Sequence, residues 1–311
     1  MQYDVTALGE ILIDFSPAGT DPNGDPLFAQ KAGGAPVNLL AAVSRYDGRT
    51  AFIGKVGDDL FGKTLRKTLI QCGISDRGLR TDPLRNTTLA FVALDEHGDR
   101  KFSFCRNFGA DLALTPEEVP EDLIRESKIF HFGSLSLTNE PARSATKHAL
   151  SLAKAAGCLI TYDPNYRPPL WSNVEEAVEQ MKKPLPLVDI LKISKEELTL
   201  LFPGSEGEAV SAILALGVRL VLVTDGGNGA RLYTKSLRIS RPARNVHPVD
   251  TTGAGDIFFG TFLSQFLRRS LSLDSLRKED AAACLETAIS VSGKSTERPG
   301  GIASIPDPSE L

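Results

Sequence analysis

At 311 residues the chain has the length of two average domains, or of one large α/β domain with an excursion, and is long enough to bury a substantial core. With 41% hydrophobic and 24% charged residues it lies in the globular range, which excludes collagen-like, disordered and coiled-coil chains. Lys and Arg number 35 against 39 Asp and Glu, and a net charge of −4 with no basic run excludes a nucleic-acid binder while leaving room for a small cationic pocket.

The opening residues, Met1-Gln2-Tyr3-Asp4-Val5, carry no cationic leader, and no apolar run approaches the ~18 residues of a membrane span, so a cytoplasmic protein without a membrane partner is expected. Residues 5–13 read as a first strand with Asp14 at its end, where ligands of open α/β sheets bind. A turn-rich stretch at 20–24 leads into Leu27-Phe28-Ala29, and Gly33-Gly34-Ala35-Pro36-Val37-Asn38 then opens a helix, with Pro36 suited to its first turn and Asn38 able to offer an amide to hydroxyl groups. Strand 51–56 follows. Residues 87–94 and 101–105 predict a hairpin around Glu96-His97-Gly98-Asp99, able to pair with the 20–29 region in a small sheet outside the main one. Further strands are expected at 128–132, 158–162, 190–193 and 220–223, and a helix at 144–156 buries Ala145, Ala149, Leu152, Ala153 and Ala156 before Gly157 ends it. Phe258, Phe262 and Phe266, with Leu263 and Leu267 beside them, form a core stripe on a late helix. Strand-turn-helix repetition of this kind predicts an α/β fold with a mostly parallel sheet covered by helices on both faces. No linker or internal repeat separates a second domain, so a single domain over 1–311 is expected, with a small β lid built from insertions at about 15–31 and 86–108. Cys72, Cys105, Cys158 and Cys284 are isolated and read as reduced packing thiols, and the four His form no metal pattern.

Gly57-Asp58-Asp59-Leu60-Phe61-Gly62-Lys63-Thr64 matches the phosphate-loop pattern G-x-x-x-x-G-K-[ST] between a strand and a helix. Two aspartates would put negative charge into a phosphate cradle, so Asp58 or Asp59 is instead expected to cap the helix through Leu65, Leu69 and Ile70. The segment with chemical promise is Asp250-Thr251-Thr252-Gly253-Ala254-Gly255-Asp256, directly before the Phe-striped helix. Small residues admit a ligand to the backbone, the first amides of a helix make an anion site, and Asp256 at a positive helix end can stay ionised as a base.

These segments, with Lys31-Ala32 before Gly33 and with Asp163-Pro164-Asn165-Tyr166-Arg167-Pro168-Pro169-Leu170-Trp171, resemble in order and spacing the ribokinase-like (PfkB) carbohydrate kinases along the whole chain. His131-Phe132-Gly133-Ser134-Leu135-Ser136-Leu137 and Glu140-Pro141 are similar to the fructokinase branch. The resemblance implies an ATP-dependent sugar kinase acting on the primary hydroxyl of a ketose, D-fructose first, with Asp256 as general base and Gly253, Ala254 and Gly255 as anion hole. It further implies sugar binding by Asp14, Gly33, Gly34, Asn38 and Arg106, the last reaching over the substrate from the lid. ATP binding falls to Asn165, Arg167, Ser194, Thr224, Gly226, Gly229, Gly253 and Gly255. Glu197 would be an outer-shell Mg2+ partner, Ser194 standing where ribokinases carry Asn, and carbonyls around Asp250 and Thr252 would hold a monovalent cation such as K+. A lid that closes on sugar is expected, and Phe91 and Phe104 on its hairpin are equally compatible with a homodimer contact, as lids of this family often make, and with a monomer that tucks them onto its own lid. The same residues are compatible with a 2-keto-3-deoxygluconate kinase, whose acidic substrate Arg106 and Arg167 could pair, and with a non-catalytic sugar sensor.

Overall fold

The computed structural model describes residues 1–94 and 100–310, the side chains of 93–102 excepted, so the turn expected at 96–99 lies outside the described residues. Strand β1 (Tyr3–Leu8) lies within a nine-stranded sheet, while β2 (Leu12–Thr20) and β3 (Pro26–Gly33) leave it as an antiparallel pair. Helix α1 (Ala35–Arg45) returns the chain to β4 (Thr50–Gly57), and α2 (Leu60–Gln71) leads to the edge strand β5 (Ile74–Asp82). Strands β6 (Leu89–Leu94) and β7 (Arg100–Cys105) join the β2–β3 pair, giving a four-stranded second sheet in the order β3-β2-β6-β7. Helix α3 (Glu121–Arg125), β8 (Ser127–Gly133), α4 (Ala142–Ala155), β9 (Leu159–Asp163), α5 (Val174–Lys182) and β10 (Ile190–Ser194) then alternate. After α6 (Lys195–Leu201), α7 (Glu206–Ala215) and β11 (Leu220–Thr224), the antiparallel strands β12 (Ala230–Tyr233) and β13 (Arg238–Arg241) finish the sheet, and α8 (Ala254–Arg268) and α9 (Lys278–Ser295) close the fold.

The main sheet runs β13-β12-β11-β10-β9-β8-β1-β4-β5 and is parallel from β11 to β5. Because strand side chains alternate between faces, each strand feeds two cores. Ile129, Ile190 and Leu222 pack with α1, α8 and α9, around Phe259, Phe262 and Phe266; Phe130, Leu191 and Val221 pack with the helices of the opposite face, around Ala149 and Met181. This is the α/β fold that the strand-turn-helix repetition predicts.

Two expectations need correction. Residues 5–13 are not one strand: β1 stops at Leu8, and the chain crosses through Gly9-Glu10-Ile11 to the second sheet. The Pro36 ring fills the space beside Gly9, where a Cβ would lie 2.7 Å from Pro36 Cγ, and hydropathy carries no trace of that packing. Asp14 therefore belongs to β2 in the second sheet, paired with Lys31 of β3, and does not end a strand of the main sheet. At the phosphate-loop look-alike, Asp59 and not Asp58 caps α2, accepting from Gly62 N at 2.7 Å. Its carboxylate also takes Thr87 N and Thr87 Oγ1, at 2.7 and 2.8 Å, while Lys63 stands in solvent 3.6 Å from Asp58.

Candidate active site

The N-terminus of α8 is left open by its own sequence. Gly253 caps it in the left-handed conformation, φ 75°, with no side-chain cap, and a Cβ there would press on Asn38 Nδ2 and Gly301 Cα at 3.1 Å. Among the described residues the Gly253 and Gly255 amides meet no protein acceptor, so two donors at a positive helix end face outward. The expectation for Ala254 is corrected: its N–H donates to Thr251 O at 3.2 Å, because the turn before the helix closes on it.

Asp256 lies buried in the first turn, where its Oδ2 accepts from Asn38 Nδ2 at 2.9 Å. Burial pushes its carboxyl up to about 6, against the Asn38 hydrogen bond and the positive charges of Lys192 and Arg167. Asn38 is set by α1, which starts at Gly34 with φ 120° because a Cβ there would strike Glu10 O at 2.5 Å. Glu10 Oε1 in turn accepts from Ala35 N at 2.9 Å, and burial raises Glu10 to about 7.

Around Asp256 opens a cavity of about 280 Å³ walled by Glu10, Leu12, Asp14, Gly34, Asn38, Phe104, Asn165, Arg167, Thr252 and Gly253, among others. The second sheet supplies Leu12, Asp14 and Phe104, and the starts of α1 and α8 with the loop after β9 supply most of the rest, so the cavity lies between the second sheet and the ends of the main domain's helices. Burial raises Asp14 to about 6, with Arg167 opposing. Gly33 stands behind Asp14, where a Cβ would come 2.3 Å from its Oδ2. Three carboxylates against the single guanidinium of Arg167 suit a neutral polyhydroxyl compound. Arg167 donates to Tyr166 O at 3.1 Å and pairs with no carboxylate among the described residues.

A second groove, about 290 Å³, lies across the α8 terminus and shares Thr251 with the first. Thr224, Gly226 and Gly229 edge it together with Ala254 and Gly255, and Ala243, Val246, Pro248, Phe258 and Ile289 give it a mainly apolar floor that suits a flat base. Gly226 and Gly229 have φ 47° and 99°, and a Cβ on Gly229 would meet Arg241 O at 2.1 Å. Asp225, held well down at about 2 by Arg231, Asn228 and Lys195, ties this loop to its surroundings.

Beside the first cavity, Asn165, Arg167, Lys192, Ser194 and Glu197 line a third space that shares Asn165 and Arg167 with it. Asn165 adopts φ 46°, its N–H donating to Asp163 Oδ1 at 3.1 Å. Ser194 caps α6 and Glu197 completes the capping box, with Glu197 Oε1 taking Tyr166 N at 2.7 Å and Oε2 taking Ser194 N at 2.9 Å. Asp250 accepts Thr252 N and Gly300 N, both at 2.8 Å, and faces Lys31 at 3.9 Å.

Arg106 does not join the cavity. It is buried, with Nε and Nη2 on Asp111 at 2.8 and 2.7 Å, Nη1 on Thr138 Oγ1 at 3.2 Å and Nη2 on Leu135 O at 2.8 Å. Asp111 takes the guanidinium that the substrate was expected to meet. Conversely, Glu10 and Lys192 line the site without having been singled out. Lys192 had a signal, as the one charge in the apolar run 190–193; Glu10 had only its place beside a glycine inside an apolar stretch.

Residues 2–308 match the family model described as pfkB family carbohydrate kinase. The chain is 42% identical over 313 residues to a protein of Arabidopsis thaliana named probable fructokinase-4, covering 99% of this chain and 95% of that one. A fructokinase from Xylella fastidiosa solved with bound ATP superposes with a TM-score of 0.90 at 32% identity, over 98% of this chain and 96% of the other. A double mutant of the fructokinase from Vibrio cholerae O395, solved with fructose, ADP and potassium ion, gives 0.90 at 30% identity over 99% and 97%.

Proposed function

The chain belongs to the pfkB family of carbohydrate kinases, and from that membership we propose that it transfers the γ-phosphoryl group of ATP to the primary hydroxyl at C6 of D-fructose. The observation that carries the reading is the α8 terminus, with Asp256 on the side of the sugar-sized cavity and the Gly255 backbone on the side of the nucleotide groove.

In this reading Asp14, Asn38 and the Gly34 backbone hold the sugar, an ionised Asp14 accepting two hydroxyls at once. Gly33 leaves room for that carboxylate. Asp256, fixed by Asn38, takes the proton of the C6 hydroxyl as its oxygen attacks the γ-phosphorus, and the outward amides of Gly253 and Gly255 stabilise the transferring charge. Asn165, Arg167 and Ser194 border the phosphates, and Thr224, Gly226 and Gly229 the rest of ATP. Mg2+ supplies charge neutralisation of the phosphates. The fit is to an outer-shell position: both Glu197 oxygens receive backbone N–H groups, and no cluster of three or more metal-binding side chains occurs among the described residues, so the ion would sit chiefly on phosphate and water. K+ is proposed at the loop of Asp250 and Thr252, folded against Gly300 by the Asp250 carboxylate.

The second sheet is proposed as a lid on a single domain, closing over sugar so that water does not compete for ATP. Leu27 and Phe28, exposed on β3, make the same sheet the proposed homodimer contact. A cytoplasmic location accords with four free thiols, and no helix among the described residues is long and apolar enough to cross a membrane.

A sugar acid fits less well, because Glu10, Asp14 and Asp256 surround the cavity and Arg106 is spent on Asp111. Scoring ADP release with fructose, ribose, 2-keto-3-deoxygluconate and adenosine tests the reading. Fructose should give the highest kcat/KM. Preference for the sugar acid would overturn the choice of acceptor, and no ADP release with any of them would indicate a sensor.

A further inference from the structure

Lys192 is a buried cation whose position the reaction outlined above does not explain. It follows Ile190 on the same face of β10, the face that packs under α8, and its ammonium group is almost sealed from solvent, with a side chain 7% exposed. Nζ lies 2.9 Å from Asp163 Oδ2. This ion pair engages at most one of the ammonium's donors, and its direction is poor for a hydrogen bond to Oδ2. An ammonium carries three donors, and burying one with its donors poorly directed is costly unless something else takes them.

What lies next to that ammonium is the anion site. A Cβ built on Gly255 would come within 2.9 Å of Lys192 Nζ, so glycine at 255 is what lets the cation approach the first turn of α8. Lys192 also walls the space shared with Asn165, Arg167, Ser194 and Glu197. Burial works against its charge, but the carboxylates of Asp163, Glu197 and Asp256 together raise its pKa, so the group is an ammonium throughout the neutral range.

We infer that Lys192 contacts the transferring phosphoryl group, exchanging its off-axis contact with Asp163 for the oxygens of the γ-phosphate beside Gly255. The inference rests on the kinase reading above and adds a residue to it. As the sugar oxygen bonds to the γ-phosphorus, the bond from that phosphorus to the β–γ bridging oxygen breaks, and its electron pair leaves with ADP. The hydroxyl proton goes to Asp256. Lys192 gains and loses no proton; it offsets negative charge on the moving group, and Asp163 holds it when no phosphate is present.

The alternative is that Lys192 only neutralises Asp163 in the interior. Two variants separate these, Lys192→Met and the double variant Lys192→Met with Asp163→Asn, the second removing both buried charges so that folding is kept. The probes are ADP and β,γ-imido-ATP, titrated by calorimetry without any sugar. The expected result is a loss of ~30-fold or more for imido-ATP with ADP within about twofold of the parent chain, in both variants. With fructose, kcat should fall by ~10²–10³-fold at nearly unchanged fructose KM. Equal losses for the two nucleotides, or recovery of the double variant to within about twofold of the parent chain, would overturn the inference. If the parent chain releases no ADP with fructose, the acceptor assignment fails alone, because the contrast between the nucleotides is read without an acceptor.

Discussion

Helices α2 and α8 both begin after a glycine-rich turn with an aspartate nearby, yet one start is closed and the other open. In α2 the aspartate stands at the cap itself, so the Asp59 carboxylate reaches back onto Gly62 N and across to Thr87, and the end of the helix is consumed by the protein. In α8 the cap is Gly253 and the aspartate comes three residues later, inside the first turn, where it turns to Asn38 and leaves the Gly253 and Gly255 amides without a protein acceptor among the described residues. A shift of three positions separates a structural cap from a candidate reaction centre. The two carboxyls carry the difference in their protonation. Burial raises Asp256 to about 6, whereas at Asp59 burial is outweighed by N–H bonds from Thr87 and Gly62, and the carboxyl falls below its usual range.

The widest separation is expected in turnover. Asp256→Asn should lower kcat by ~10²–10⁴-fold with ATP affinity nearly unchanged, measured by ADP release and nucleotide titration. In the parent chain kcat/KM should fall below pH of about 6, since Asp256 must be ionised to accept a proton and Asp14 titrates in the same range. A flat profile from pH 5 to 8 would remove Asp256 as the base.

Stability should respond with opposite signs at the two helix ends. Because the folded Asp256 carboxyl titrates above its unfolded value of 3.8, its ionisation costs stability that is lost as pH rises toward 6 and stays lost above it. Asp256→Asn, which keeps an oxygen for Asn38 Nδ2, should therefore raise the stability at pH 7.5 by up to ~3 kcal/mol, a Tm rise of roughly 5 °C, with no gain below about pH 4. Asp59→Ala should do the reverse, losing about 2 kcal/mol in denaturant titration at neutral pH while kcat stays within about twofold. Lys63→Ala sharpens the comparison at its lower limit: an exposed lysine beside Asp58 should change stability by less than ~0.5 kcal/mol and leave turnover unaltered. Loss of activity in that variant would restore the phosphate-loop reading of 57–64.

Much of this site could be read in the chain, because its parts are local. A glycine before a helix, a proline in its first turn and an aspartate one turn in are short patterns with mechanical meaning, and Gly34, Pro36, Gly253 and Asp256 occupy the positions those patterns assign. Strands β4, β8, β9, β10 and β11 appear within a residue or two of their expected limits, since parallel strands buried on both faces are short continuous apolar runs.

What the local patterns leave undecided is which side chains meet across the fold. Hydropathy reads residues 5–13 as one mainly apolar stretch, and it does not register that Pro36 of another element packs against Gly9 where β1 has ended. The charge of Arg106 is plain in the sequence, but whether a substrate or Asp111 would claim it depends on where β7 sets it down. Asn38 and Asp256 stand 218 positions apart and meet at 2.9 Å, and Lys192 reaches Asp163 and Gly255 only because β9, β10 and α8 are packed side by side. The sequence by itself determined the helix ends, the buried strands and the place of Asp256 in the first turn of α8; the tertiary structure alone decided which charges are paired inside the protein and which line the cavity. Periodicity and capping arise from each residue's near neighbours in the chain, whereas ion pairing and desolvation depend on distances in space.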